Sequence, residues 1–149
     1  MKTMILKLSA FVLIFTLMGA GCKKEHKNDE KEVTIMLYDK PLSVIQHYIT
    51  GNWKFQYSYG GLATHKIINT DNSYINLSPN HITMGNNLGI TVDAPIVWAR
   101  ADVGGNIFTY LLSFPPEPIP YIVYQIKDDT LILRDYNVPD GFHYYYTKN

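Results

Sequence analysis

The chain has 149 residues, with 13 basic and 13 acidic side chains and a formal net charge of zero. Nucleic-acid binding requires clustered Lys and Arg to neutralise phosphates, and no basic block occurs beyond the N-terminal region, which argues against a nucleic-acid partner. The length fits a single folded domain. Aromatic residues make up 13% of the chain and 12 residues are Tyr, a residue suited to barrel walls and wet binding surfaces.

Residues 1–21 have the anatomy of a secretory signal peptide. Lys2 and Lys7 flank the start of an apolar run over 8–18, and small residues occupy 19–21, a pattern too short for a membrane span. Cys22, the only cysteine, follows at once. The arrangement resembles a bacterial lipoprotein signal, in which this cysteine becomes the lipidated first residue. Ordinary secretion with a free thiol is the alternative, but a lone thiol at this position favours lipidation.

Residues 22–39 are predicted to be a charged tether between the lipid and a folded domain. Nearly every side chain over 23–32 is charged and none is apolar, which is typical of solvated chain. A spacer and a sorting signal are both open interpretations, and Lys23 in place of Asp does not favour inner-membrane retention by analogy with lipoprotein sorting. The apolar run over 33–38 is either an extra strand or extended chain packed on the domain.

A short helix is predicted between Pro41 and Gly51. Proline suits a first helical turn because its missing N–H costs nothing there, and glycine suits a helix end. A helix of about eight residues needs tertiary packing to persist, so we expect it to cover one mouth of a barrel. Its apolar stripe follows helical spacing and consists of Leu42, Ile45, Tyr48 and Ile49.

The residues after the helix alternate between aromatic and polar side chains, as in a strand with one buried face. Gly60 and Gly61 end this strand. The polar face carries Lys54, Gln56 and Ser58. The aromatic face carries Trp53, Phe55, Tyr57 and Tyr59.

Further short strands follow at near-regular spacing, giving about eight or nine in all. Because no helix alternates with them, the pattern favours an antiparallel barrel or sandwich, and closure into a barrel removes exposed edges. We therefore predict an all-β fold: an antiparallel up-and-down eight-stranded β-barrel with a short N-terminal helix, spanning residues 40–149. The later segments are 73–78, 81–84, 96–101, 107–114, 121–127, 130–136 and 142–147, with 65–68 and 90–92 as additional candidates.

The helix, the Gly51-x-Trp53 entry into the first strand and the Gly60-Gly61 that follows resemble the lipocalin superfamily. More closely, residues 41–149 are similar to the short lipocalin-like lipoproteins common in Bacteroidetes. In lipocalins an Arg near the end of the barrel lies across the tryptophan. The resemblance therefore implies a structural barrel end formed by Gly51, Trp53 and Arg134.

No catalytic or metal-binding constellation is visible, so we expect a protein that is not an enzyme and has no cofactor. The five histidines lack metal-ligand spacing with another His, Cys or carboxylate on one element. Asp128 and Asp129 are adjacent and are interpreted as turn formers, because neighbouring residues of a strand point to opposite faces.

The aromatic side chains are the strongest functional feature. An eight-stranded barrel either fills with side chains or holds one small ligand, and both interpretations remain open. The first predicts a structural or protein-interaction module that contacts an envelope protein. The second predicts a cell-envelope lipoprotein, anchored in the membrane by lipid, on the periplasmic or surface side of the outer membrane, that binds a small hydrophobic or amphipathic molecule. The candidate cavity residues are Phe55, Tyr57, Tyr59, Trp98, Tyr110 and Tyr124.

Overall fold

A computed structural model describes residues 32–63 and 65–149. The predicted signal peptide, Cys22 and most of the charged tether lie outside the described residues. No helix within the described residues has the length and apolar character needed to span a membrane. The elements are β1 (Thr34–Met36), α1 (Leu42–Ile49), β2 (Gly51–Gly60), β3 (His65–Ile68), β4 (Tyr74–Ser78), β5 (His81–Asn86), β6 (Gly89–Pro95), β7 (Val97–Asp102), β8 (Phe108–Ser113), β9 (Tyr121–Lys127), β10 (Thr130–Asp135) and β11 (His143–Lys148).

The strands form one curled antiparallel sheet in the order β6-β5-β4-β2-β11-β10-β9-β8-β7. Strand β3 pairs with the second half of β2, beyond the part of β2 that pairs with β4. Strand β1 likewise pairs with the end of β9, beyond its pairing with β8. The all-β prediction is confirmed, and the alternative of an extra strand within residues 33–38 is the one the structure shows.

The prediction of a closed eight-stranded barrel is wrong. The main order holds nine strands, and the sheet is an open half-barrel whose two end strands, β6 and β7, are not paired with each other. These strands are consecutive in the chain and only Ile96 separates them. A hairpin needs a loop of about two residues or more, so a chain that bends at a single residue cannot fold back to close the barrel.

The turn between β4 and β5 connects the two ends of the sheet. The Pro79 carbonyl accepts hydrogen bonds from Gln46 Nε2 at 2.9 Å and from Trp98 Nε1 at 2.7 Å. The neighbouring Asn80 carbonyl accepts one from the Ile96 amide at 2.8 Å. Helix α1, the β6–β7 bend and strand β7 therefore all attach to one turn, which holds the open sides together without a strand pair.

Helix α1 is held by the core and by Trp53. Ile45 and Ile49 are fully buried in the main apolar cluster, and Trp53 in the same cluster is 1% exposed. The indole Nε1 donates a hydrogen bond of 2.7 Å to the Ile49 carbonyl, and Thr50 Oγ1 donates to the Gln46 carbonyl at 2.6 Å. The indole satisfies a carbonyl that the helix end leaves free, and the Gln46 carbonyl accepts from both the amide and the hydroxyl of Thr50.

A β-bulge divides strand β2. Tyr146 of β11 pairs with Phe55 and Tyr145 pairs with Tyr57, so Gln56 is an extra residue on β2. An extra residue reverses the faces of all residues that follow it, because side chains alternate with a period of two.

The predicted aromatic row of β2 is therefore wrong in its second half. Trp53 and Phe55 pack on the interior side, as expected. Beyond the bulge Ser58 is the buried residue, at 4% exposed, whereas Tyr57 and Tyr59 lie on the outer face. Aromatic and polar residues alternate over 53–59 without a break, so the sequence pattern by itself places all four aromatic side chains on one face.

Two further bulges add to the curl. Tyr124 is the extra residue where β9 pairs with β10, and Thr91 is the extra residue where β6 pairs with β5. Because bulges bend a strand and increase its twist, these three positions bend the sheet around the core.

Replacement of the buried indole tests the attachment of α1 to the sheet. We expect Trp53→Phe to lower the free energy of unfolding by about 2–3 kcal/mol, because it leaves a cavity and removes the donor to the buried Ile49 carbonyl. Urea unfolding followed by circular dichroism measures this change. Tyr59→Phe, on the outer face, is the control and should change stability by less than about 0.5 kcal/mol. Equal stability of the two variants would contradict this role for Trp53.

Candidate functional site

A half-enclosed cavity of about 340 Å³ lies on the inner side of the curled sheet. Strands β2, β4, β5, β6, β9 and β11 contribute to it, together with the loop between β8 and β9. The volume is at the lower end of the roughly 300–1,000 Å³ of typical ligand pockets. The lining residues are Phe55, Ser73, Tyr74, Ile75, Met84, Gly85, Asn86, Thr91, Glu117, Tyr121, Tyr144 and Tyr146.

Aromatic rings form one wall of the cavity. The Phe55 and Tyr146 rings are tilted against each other at a centroid distance of 5.3 Å, and Tyr121 meets Tyr144 edge to face at 5.5 Å. Phe114 stacks behind Tyr121 at 6.0 Å. These separations fall in the range of favourable aromatic pairs, so each ring is held in place by a neighbour.

Strand β11 supplies two of these rings by simple alternation. Tyr144 and Tyr146 both line the cavity, and the intervening Tyr145 lies on the outer face against Tyr57. The strand carries no extra residue, because the bulge lies on its partner β2. Alternation along the sequence therefore predicts the faces of these tyrosines correctly.

A glycine on β5 makes room for a hydroxyl group at the cavity. A Cβ atom at Gly85 would lie 2.6 Å from the Tyr74 hydroxyl and 2.8 Å from the Gly89 carbonyl oxygen. Any larger residue would therefore push Tyr74 or the β5–β6 turn away, so the absence of a side chain at this position shapes the cavity.

Two carboxyl groups lie near the aromatic wall. Glu117, on the loop between β8 and β9, lines the cavity and is exposed. Asp135 ends β10 directly opposite Tyr121 and is 5% exposed. Its Oδ2 accepts a hydrogen bond from the Phe142 amide at 2.9 Å, and its Oδ1 has no partner among residues 32–63 and 65–149. Hydrogen bonding to Asp135 contributes to the raised pKa of Tyr144, so the Tyr144 hydroxyl lies beside this carboxyl group.

The environment of the wall keeps its phenols protonated. Burial raises the pKa of Tyr121, Tyr144 and Tyr146 well above the usual value near 10, and the negative charge of Glu117 raises all three further. Asp135 adds to the rise in the pKa of Tyr121 and Tyr144. At neutral pH these hydroxyl groups are therefore neutral.

The structure places only one of the six predicted cavity residues, Phe55, in the cavity lining. Tyr57 lies outside because of the bulge at Gln56: its ring stacks on Tyr145 at 4.3 Å and Lys66 Nζ sits 4.1 Å from its centroid. Tyr59 is 44% exposed and pairs with His143 of β11.

The other three predicted residues lie at different places. Trp98 bonds the β4–β5 turn, and Tyr110 lines a shallow groove beside Arg100. Tyr124 is the bulged residue of β9, so its ring leaves the interior alternation and stacks on Tyr38 at 5.7 Å. None of the three lines the cavity.

Arg134 does not lie across Trp53, so its predicted role at the barrel end is corrected. Arg134 pairs with His143 of β11, and His143 pairs with Tyr59 of β2. Tyr59 is six residues beyond Trp53, so the two are about 20 Å apart along the strand. Lys148, which pairs with Trp53, places its Nζ 5.6 Å from the indole centroid instead. Gly51 begins β2 opposite Leu77 at the same end of the sheet.

The sequence analysis did not identify Glu117 and Tyr121 of the cavity lining or Asp135 behind it. Tyr121 follows the proline-rich loop that carries Glu117, so the signal was a stiff loop leading directly into an aromatic strand position. Asp135 gave a weaker signal: in the alternating strand 130–136 it shares a face with Leu131 and Leu133, where a carboxylate is unusual.

No protein-family model, curated protein or solved structure matches this chain. Within the described residues, no group of three or more His, Cys, Asp or Glu side chains is arranged to hold a metal ion. The properties of the cavity itself are therefore the basis for a functional proposal.

The buried phenols predict a loss of stability at high pH. Above about pH 10 the tyrosines of the unfolded chain ionise, whereas in the folded protein Tyr121, Tyr144 and Tyr146 stay protonated. The unfolded state then binds fewer protons, so the free energy of unfolding falls as pH rises, by about 1 kcal/mol per pH unit for the fully buried Tyr146. Urea unfolding between pH 9 and 11.5 measures this slope.

Tyr146→Phe should make that slope shallower, and Tyr59→Phe on the outer face should leave it unchanged. A stability that is constant up to pH 11.5 would show that these phenols titrate normally in the folded protein.

Proposed function

We propose that this protein is a lipid-anchored component of the cell envelope that binds one small amphipathic molecule in the cavity of a lipocalin-like half-barrel. The observation that carries the proposal is the cavity: aromatic rings wall it, a few polar groups converge on it, and one side is open. This combination is typical of small-molecule sites. Catalysis is not part of the proposal.

The cavity is supported by rigid surroundings. Its aromatic rings stand on strands of the main sheet, and Tyr146 belongs to the principal apolar cluster together with Trp53. Sites on packed strands hold their geometry better than sites on loops, and a preformed pocket reduces the ordering cost of binding. A small ligand can therefore bind without rearrangement of the sheet.

The proposed envelope location comes from the sequence. An export-type segment over 1–21, the single Cys22 and a charged stretch over 23–32 precede the domain. This order resembles that of lipoproteins, in which lipid anchors the cysteine and the charged stretch separates lipid from domain.

Ligand entry is tested with a neutral environment-sensitive naphthalene dye, prodan. We expect saturable binding with a blue-shifted emission, because the dye exchanges water for an aromatic cavity. Thr91→Trp, at the cavity lining, should weaken binding at least about tenfold by occupying the space. Asn52→Trp adds the same ring at an exposed position of β2 and is the matched control, with binding unchanged.

The proposal fails if prodan shows no saturable binding, or if the Thr91→Trp and Asn52→Trp variants bind it equally well. The second result would place the dye on the outer surface.

Lipid anchoring is tested separately through the cysteine. In a bacterial host fed radiolabelled palmitate, the wild-type chain should incorporate label and fractionate with membranes. Cys22→Ser should do neither, because the thiol is the only acceptor of the lipid. A labelled or membrane-bound Cys22→Ser variant would contradict anchoring at this residue.

A second candidate function, a protein-interaction module, is favoured by the tyrosines of the outer face. Tyr57 stacks on Tyr145, Tyr124 stacks on Tyr38, and Tyr59 is exposed. Tyrosine is enriched at protein interfaces. Failure of the dye experiment, together with loss of an envelope partner on substitution of Tyr59, would favour this function over ligand binding.

A further inference from the structure

We infer that the ligand of the cavity carries a positively charged group, such as a protonated or quaternary amine, attached to a small apolar body. The inference rests on the proposed function and specifies the chemical class of its ligand. It follows from the Glu117 carboxylate in the cavity lining, the rings that wall the cavity and the Asp135 carboxyl group behind Tyr121.

The cavity lining carries a single formal charge, which is negative. Of the twelve lining residues, Glu117 is the only one with a charged side chain, and none is Lys, Arg or His. Glu117 forms no salt bridge with any residue of the described chain, whose ion pairs involve Asp39, Asp93 and Glu32. A negative charge at the cavity is therefore left without a cation.

A second carboxyl group, that of Asp135, lies behind the aromatic wall of the cavity. Asp135 lies opposite Tyr121 on the inward side of β10, and its Oδ1 is buried without a hydrogen-bond donor among the described residues. The charges of Asp135 and Glu117 both raise the pKa of Tyr144 beyond the effect of burial. Asp135 is not among the lining residues, and its charge acts on the cavity wall from behind Tyr121 and Tyr144.

The aromatic rings of the cavity lining also favour a cation. Phe55, Tyr121, Tyr144 and Tyr146 present π-systems whose faces are negative, and such faces attract ammonium groups, more strongly when water is excluded. Quaternary ammonium groups are bound by aromatic walls of this kind. The rings and the carboxyl groups therefore favour the same charge.

The same features act against an anionic amphiphile such as a fatty acid. Its carboxylate would approach Glu117 with no basic side chain in the lining to pair with it. Like charges close together in a partly dehydrated site repel, and an unpaired buried charge is costly. An uncharged ligand would fit the rings but would leave the Glu117 carboxylate without an opposite charge.

Three water-soluble probes of similar size separate these classes: phenethyltrimethylammonium, 3-phenylpropan-1-ol and 3-phenylpropanoate. Isothermal titration calorimetry uses the full exported chain in phosphatidylcholine nanodiscs at pH 7 and low salt, with empty nanodiscs subtracted. We expect the cation to bind about tenfold more tightly than the neutral probe, and the anion to bind most weakly.

Variants of Glu117 identify the source of the preference. Glu117→Gln should weaken binding of the cation roughly fivefold, and Glu117→Lys should make the anion the preferred probe. Glu32→Gln removes a carboxylate that pairs with Lys127 away from the cavity, at 3.1 Å, and should leave binding unchanged. Cooperative urea unfolding of each variant verifies that it is folded.

Equal or tighter binding of the neutral or anionic probe would overturn the inference, and the proposed function would stand if prodan still binds in the cavity. Absence of binding by all three probes would also overturn it. Loss of prodan binding as well would reject the proposed function itself.

Discussion

The pairing of the first long strand with the last one is the constraint on which the rest of the structure depends. Strand β2 lies beside β11 at the centre of the sheet order, and it joins β6-β5-β4 on one side to β10-β9-β8-β7 on the other. The bulge at Gln56 lies within this pairing. It decides which rings of β2 face inward, and it leaves Phe55 as the β2 ring at the cavity, opposite the inward tyrosines of β11.

The cavity is a consequence of the open sheet. Because β6 and β7 run on from each other through Ile96, the sheet is fastened by hydrogen bonds to the turn at Pro79 and Asn80, not by a closing strand pair. At one end Trp53 and helix α1 fill the interior. Towards the other end aromatic rings and Glu117 border unfilled space. The interior is thus packed in one part and open in another.

The sequence predicted the elements well, but it misassigned the faces of side chains at or beyond the β-bulges. The helix and nearly every strand lie within a few residues of their predicted bounds, because periodicity and Gly, Pro and Asn turns are local properties. Tyr57 and Tyr124 were misplaced because bulges depend on the partner strand. The prediction of a closed barrel failed because only the strand pairing shows that the chain runs from Pro95 through Ile96 to Val97 without folding back. Glu117 lines the cavity from a loop and Asp135 lies behind the wall opposite Tyr121, and both positions depend on long-range packing that a single sequence does not contain.

The most direct measurement of the central claim is a set of intermolecular nuclear Overhauser effects between bound prodan and ring-labelled tyrosines. We expect contacts from the dye to Tyr121, Tyr144 and Tyr146, which line the cavity, and none to Tyr57 or Tyr59 on the outer face. Contacts to Tyr57 and Tyr59 in place of the cavity rings would contradict the central claim, because the ligand would then bind outside the half-barrel.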